Sequence, residues 1–125
     1  MLALGVDLVE VDRISALIER RGAPRLRRLF TEAELAYALS SPRLTAQRLA
    51  ARFAAKEAFR KALRRPVPFH EIEVVVDRER PCLAWQGRFY PVSLTHTARY
   101  AAAVVVIEPT PPPPPPSAPS ASPGA

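Results

Sequence analysis

Glu57 and Lys61 stand four residues apart in ARFAAKEAFRKAL (residues 51–63), the stretch that holds both lysines of the chain. On a helix that spacing stacks them on one face with Phe53, while Arg52, Lys56 and Arg60 form an adjacent row. As an exposed pair, Glu57 and Lys61 are worth only about 0.2–0.5 kcal/mol. Beside a phosphate, the carboxylate could instead ligate a cation and the ammonium could balance charge. Asp7 poses a sharper question, because it interrupts the Val- and Leu-rich run LALGVDLVEV (2–11). A bare carboxylate in an apolar strand is costly, so Asp7 must pair with an arginine, sit at an exposed strand end or bind a metal. Asp7 and Glu57 together could offer oxygen ligands to Mg²⁺, which takes one or two carboxylates plus waters and phosphate oxygens.

Other polar groups are less specific. SLTHT (93–97) gathers Ser93, Thr95, His96 and Thr97, a composition suited to anion contacts or a tight turn. His70 carries less signal, and Cys82 reads as a buried apolar side chain in a strand. Zinc-ligand spacing, a Walker phosphate loop and a Gly-rich dinucleotide fingerprint are all missing from the sequence. Arg13, Arg20, Arg21, Arg25, Arg27 and Arg28 crowd into one segment opposed only by Glu19. Such density repels itself and is better tolerated beside an acidic partner. Few aromatics interleave with it, which disfavours stacking on single-stranded nucleic acid.

These residues need elements to position them. Residues 2–11 read as a largely buried strand. Asp12 can cap a following helix whose apolar face holds Ile14, Leu17 and Ile18, with Gly22 at its end. Thr31 and Glu34 form a capping-box pattern that opens a second helix to about Ser40. Beyond Pro42, residues 44–64 predict a long helix, stopped by Pro66 and Pro68. The period then changes: strands are expected at 70–77 and 81–85, through GRFYPVSLTHT (87–97), and at 100–108. A strand, then helices, then consecutive strands predict an α+β fold with an antiparallel sheet in a single domain, residues 1–108.

Residues 109–125 hold nine of the fifteen prolines, including Pro111–Pro116, and no charged side chain. That composition predicts a disordered tail of polyproline II character. The net charge of +6 therefore lies in residues 1–108 and calls for an anionic partner: nucleic acid, a phosphorylated small molecule or an acidic protein. A domain of about 100 residues is near the size at which oligomerisation often adds burial. The single cysteine suits a reducing compartment. Asp7 and Glu10 break any signal-peptide core, and no apolar run reaches the roughly 20 residues of a membrane span. The expected location is cytoplasmic.

Taken in order, GVDLVEVDRI (5–14), RFAAKEAFRKAL (52–63) and VSLTHT (92–97), with FTEAEL at 30–35, resemble the holo-(acyl-carrier-protein) synthase family of 4′-phosphopantetheinyl transferases. The resemblance spans about residues 3–108 and implies transfer of the phosphopantetheine arm of coenzyme A to a serine of apo acyl carrier protein. Adenosine 3′,5′-bisphosphate would be released. It further implies that Asp7 and Glu57 hold Mg²⁺ against the pyrophosphate and that Lys61 contacts the phosphates. Arg52 and His96 would help bind coenzyme A. Arg13, Arg20 and Arg21 would meet the acidic carrier protein, and the family usually forms trimers with active sites at subunit boundaries. No membrane or nucleic-acid partner is implied.

Two segments depart from the family pattern. RRPVPFHEI replaces a glycine-containing loop after the long helix, and Glu79-Arg80-Pro81 stands where Gly-Lys-Pro is common. Two other readings share parts of the same equipment: a basic nucleic-acid-binding module, indifferent to Asp7 and Glu57, and a Mg²⁺-dependent nucleotide phosphohydrolase that needs no carrier protein.

Overall fold

A computed structural model describes residues 2–108; the tail expected at 109–125 lies outside the described residues. The order of elements is β1 (Ala3–Glu10), α1 (Val11–Leu29), α2 (Glu32–Leu39), α3 (Thr45–Leu63), β2 (Glu73–Asp77), β3 (Arg80–Trp85), β4 (Arg88–His96) and β5 (Tyr100–Ile107). The strands form one antiparallel sheet in the order β1-β5-β4-β3-β2, the α+β arrangement expected. No helix among the described residues is long and apolar enough to cross a membrane.

The core lies where α3 crosses the sheet. Ala51, Ala54, Ala55, Ala58 and Phe59 of α3 are buried with Val9 of β1 and Ala101, Ala103 and Val105 of β5. Small side chains let the helix settle close to the strands. Phe59 then fills the space over β3 and β4, with its ring 5.5 Å from Trp85 and 5.0 Å from Tyr90. Full burial of such a ring stabilises by about 1.5–3 kcal/mol.

A buried ion pair ties the helices to the sheet. Lys56 donates to Glu34 Oε1 at 2.6 Å, to Leu29 O at 2.8 Å and to Phe69 O at 3.2 Å. Glu34 also accepts from the backbone N–H of Thr31 and of Val74, which completes the capping box and anchors β2 to α2. Burial lowers the Lys56 pKa, outweighing the opposing pull of Glu34. The network joins the ends of α1 and α2 to α3 and β2.

Several sequence expectations need correction. Asp12 does not cap α1: the cap position is Glu10, with no side-chain cap bond, and Asp12 lies in the first turn. Gly22 does break the helix, at φ 67°, but the chain resumes helical geometry and runs on to Leu29. Pro24 sits in the opening turn of that second segment, where a missing N–H costs little. β1 is not largely buried. Gly5 and Val9 face α3, while Leu4, Val6 and Leu8 are exposed on the opposite face. Cys82, expected to be buried, is half-buried in β3.

Candidate active site

Gly5 sets the geometry of the site. A Cβ at this position would lie 1.8 Å from the carbonyl oxygen of Ala58, so only glycine lets β1 and α3 approach this closely. Asp7 is two residues along β1 on the same helix-facing side. Lys61 is three residues along α3 from Ala58. The result is an ion pair, Lys61 Nζ to Asp7 Oδ1 at 2.9 Å, with a second bond from Lys61 to Val6 O at 3.2 Å. Asp7 is thus paired, as an acid in this strand requires. The hydrogen bond and charge of Asp7 raise the Lys61 pKa, and the Glu57 carboxylate adds to the effect. Two carboxylates therefore act on one ammonium at the strand–helix contact.

Cations gather around Glu57 at this end of α3. Arg60, Arg64, Arg65 and Lys61 line an open shelf of about 280 Å³ with Glu57 and Pro66. Arg60 stacks over the Phe69 ring at 4.7 Å and Arg65 over Trp85 at 5.3 Å. Sequence reading named no role for Arg64 or Arg65. The signal was present: the RR pair falls one turn after Lys61, just before two prolines that end the helix. Arg64 itself adopts φ 60°, the left-handed cap geometry that glycine usually supplies. In the segment that departs from a glycine loop, Arg64 thus makes a left-handed turn without glycine. Gly5 was also passed over, although an isolated glycine in a strand signals close backbone approach.

Arg52 and His96 lie elsewhere. Arg52 is 5% exposed, packed over the Tyr37 ring at 4.5 Å, with Nη1 donating to Arg48 O at 3.3 Å. Its Nε has no hydrogen-bond partner among the described residues, and burial lowers its pKa. Arg48 stacks on Tyr37 from nearby at 4.2 Å. His96, the last residue of β4, places Nδ1 2.8 Å from Gln47 Oε1. Gln47 and Lys61 are about 21 Å apart along α3 at 1.5 Å per residue. In one chain Arg52 thus lies mid-helix, nine residues before Lys61, and His96 meets the N-terminal end of α3.

Arg13 and Arg20 are exposed on α1, which also carries Arg21. Arg13 extends over the Phe53 ring at 5.7 Å, which links α1 to α3. Thr97 makes the turn between β4 and β5, its Oγ1 accepting from the N–H groups of Arg99 and Tyr100. That answers the tight-turn reading for the end of SLTHT.

Among the described residues no three His, Cys, Asp or Glu side chains gather into a metal cage. The donor set at Lys61 is two carboxylates. An all-oxygen pair of this kind fits Mg²⁺, whose shell is completed by waters and substrate phosphate, better than it fits zinc.

One helix crosses an antiparallel sheet and carries Glu57, Lys61 and a row of arginines at its C-terminal end, beside Asp7 of β1. The sequence profile of the 4′-phosphopantetheinyl transferase superfamily matches residues 3–105, and the chain belongs to that superfamily. It is 42% identical over 114 residues to the holo-(acyl-carrier-protein) synthase of Thermus thermophilus, covering 83% of this chain and 90% of the relative. The corresponding protein of Deinococcus radiodurans is 41% identical over 124 residues, with the same coverages. A crystal structure of a holo-(acyl-carrier-protein) synthase from Bacillus anthracis, in complex with CoA, superimposes with a TM-score of 0.74 at 31% identity. It covers 83% of this chain and 93% of that one.

Proposed function

We infer that the chain transfers the 4′-phosphopantetheine arm of coenzyme A to a serine hydroxyl of apo acyl carrier protein. The serine oxygen attacks the phosphorus that bears the pantetheine arm, and the pyrophosphate bond breaks. Adenosine 3′,5′-bisphosphate leaves with the bonding electrons. The observation that carries this reading is the Asp7–Lys61 pair, flanked by Glu57, at the Gly5–Ala58 contact.

Asp7 and Glu57 hold Mg²⁺ in this proposal; when bound, the ion supplies Lewis-acid stabilisation of phosphate charge. Lys61 and the neighbouring arginines bind the pyrophosphate and offset the charge that grows on the leaving group. Asp7 and Glu57 are also the chain's own carboxylates on this face, able to accept the serine proton as the new bond forms. Most of the catalytic effect is placement of attacking and leaving oxygens in line.

Arg52 and His96 bind the nucleotide end of coenzyme A from a neighbouring subunit. The distance of His96 from Lys61 along α3 within one chain supports this split. The exposed face of Leu4, Val6 and Leu8, continued by Val104 on β5, supports a homotrimer with that face buried. Arg13, Arg20 and Arg21 receive the acidic carrier protein by charge complementarity. The single unpaired cysteine supports a cytoplasmic location.

Release of adenosine 3′,5′-bisphosphate tests the reading. It should require both Mg²⁺ and the carrier serine, and should vanish when that serine is replaced by alanine. Release without any carrier protein would instead indicate a phosphohydrolase.

A further inference from the structure

A second concavity shares Arg65 with the shelf that holds Glu57 and Lys61. It is an open groove of about 490 Å³ walled by Trp85, Arg88, Phe89, Tyr90, Pro91 and Glu108. Phe89 is 69% exposed, unusual for a phenylalanine with no covering element. Trp85 is buried, yet its Nε1 donor has no hydrogen-bond partner among the described residues. A buried indole N–H normally finds an acceptor. The exposed Phe89 ring, with Tyr90 and Trp85 in the same wall, makes the kind of aromatic surface that receives polyproline II segments.

The sequence runs on from the edge of this groove into a proline run. Glu108 is both the last described residue and part of the groove wall. The register Val92↔Val105 directs the outgoing strand towards Tyr90 and Phe89. Pro111–Pro116 begins three residues later, about 9 Å on at the polyproline II rise, and would span about 19 Å. We propose that the Pro111–Pro116 run docks in the Trp85–Phe89–Tyr90 groove of its own chain. Residues 109–125 have no charged side chain, so this contact rests on ring stacking. The proposal stands independently of the transferase reading.

Trp85 is the single tryptophan and reports the contact directly. Its emission would be compared between the full chain and a full-length variant with prolines 111–116 replaced by serine. The docked segment should give the full chain the bluer emission, and Phe89→Ala should shift it to that of the serine variant. A synthetic peptide of residues 108–118 should move the serine variant's emission back, saturably and with little dependence on salt. Because a tethered segment competes at millimolar effective concentration, the same peptide should bind the full chain about tenfold more weakly. Identical emission from the full chain and the serine variant, with no response to peptide, would overturn the proposal. So would binding that collapses with salt, which would assign the groove to an anionic partner of Arg65 and Arg88.

Discussion

Lys61 on α3 holds Asp7 on β1 at 2.9 Å, across 54 residues of sequence. That contact exists because Gly5 lets the strand lie against the backbone of Ala58. The candidate site is therefore a product of one missing methyl group as much as of its charged residues.

Gly5→Ala should be the most informative substitution outside the charged set. The new Cβ meets a backbone carbonyl, which cannot rotate away, so α3 must shift from β1. Overpacking of this kind costs about 1–3 kcal/mol. Urea unfolding should show that loss. Turnover measured where the variant is still folded should drop far more than the loss of folded protein explains, because the Asp7–Lys61 alignment moves.

Lys61 gives a pH signature. Its folded pKa is raised above the ordinary 10.5 by Asp7. The stability it contributes is complete below that value and is lost as pH rises through the folded pKa. The stability difference between wild type and Lys61→Met should stay flat at neutral pH and narrow only above about pH 10.5. Thermal melts across that range would check it. Narrowing at neutral pH would mean that the pair does not hold Lys61 protonated.

The buried pair of Lys56 and Glu34 should behave differently. Glu34→Gln or Lys56→Met alone leaves an unmatched buried charge and should cost about 3–5 kcal/mol. The double variant should recover part of that loss, a coupling that denaturant melts in a double-mutant cycle would measure. Since Lys56 precedes Glu57, the single variants should also lower turnover, by disturbing the seat of α3.

The hairpin between β2 and β3 holds Arg78 at φ 52° and Glu79 at φ 65°, both in the left-handed region. A non-glycine residue there costs about 1–2 kcal/mol, partly offset by the greater freedom glycine has when unfolded. Glu79→Gly should therefore raise the melting temperature slightly. The Glu79-Arg80-Pro81 turn thus carries some strain.

Much of this fold was legible from periodicity and breakers. Thr31 and Glu34 marked α2, Pro66 and Pro68 closed α3, and the β-branched runs marked the sheet. The sites of failure share a cause, which is dependence on partners far away in sequence. Lys56 and Arg52 read as members of a charged row because local spacing cannot tell a solvated lysine from one inserted between α1, α2 and β2. The outer face of β1 looked buried because Leu4, Val6 and Leu8 are apolar, while the described residues supply nothing to cover them. Asp7 and Glu57 were singled out on context and spacing. Glu57 meets Lys61 through helix spacing alone, whereas the nearness of Asp7 rests on Gly5, whose meaning appears only when α3 is laid on it.

The paired acids should be separable from the fold. Asp7→Ala and Glu57→Ala should abolish turnover while leaving circular dichroism and elution volume close to wild type. Unimpaired activity in both variants would remove the metal assignment.

The most direct measurement is the intact mass of apo acyl carrier protein after incubation with the full chain, coenzyme A and Mg²⁺. The carrier should gain one phosphopantetheine, located on a serine, and should gain none when Mg²⁺ is chelated. An unchanged mass across several carrier proteins, from protein shown to be folded, would contradict the assignment.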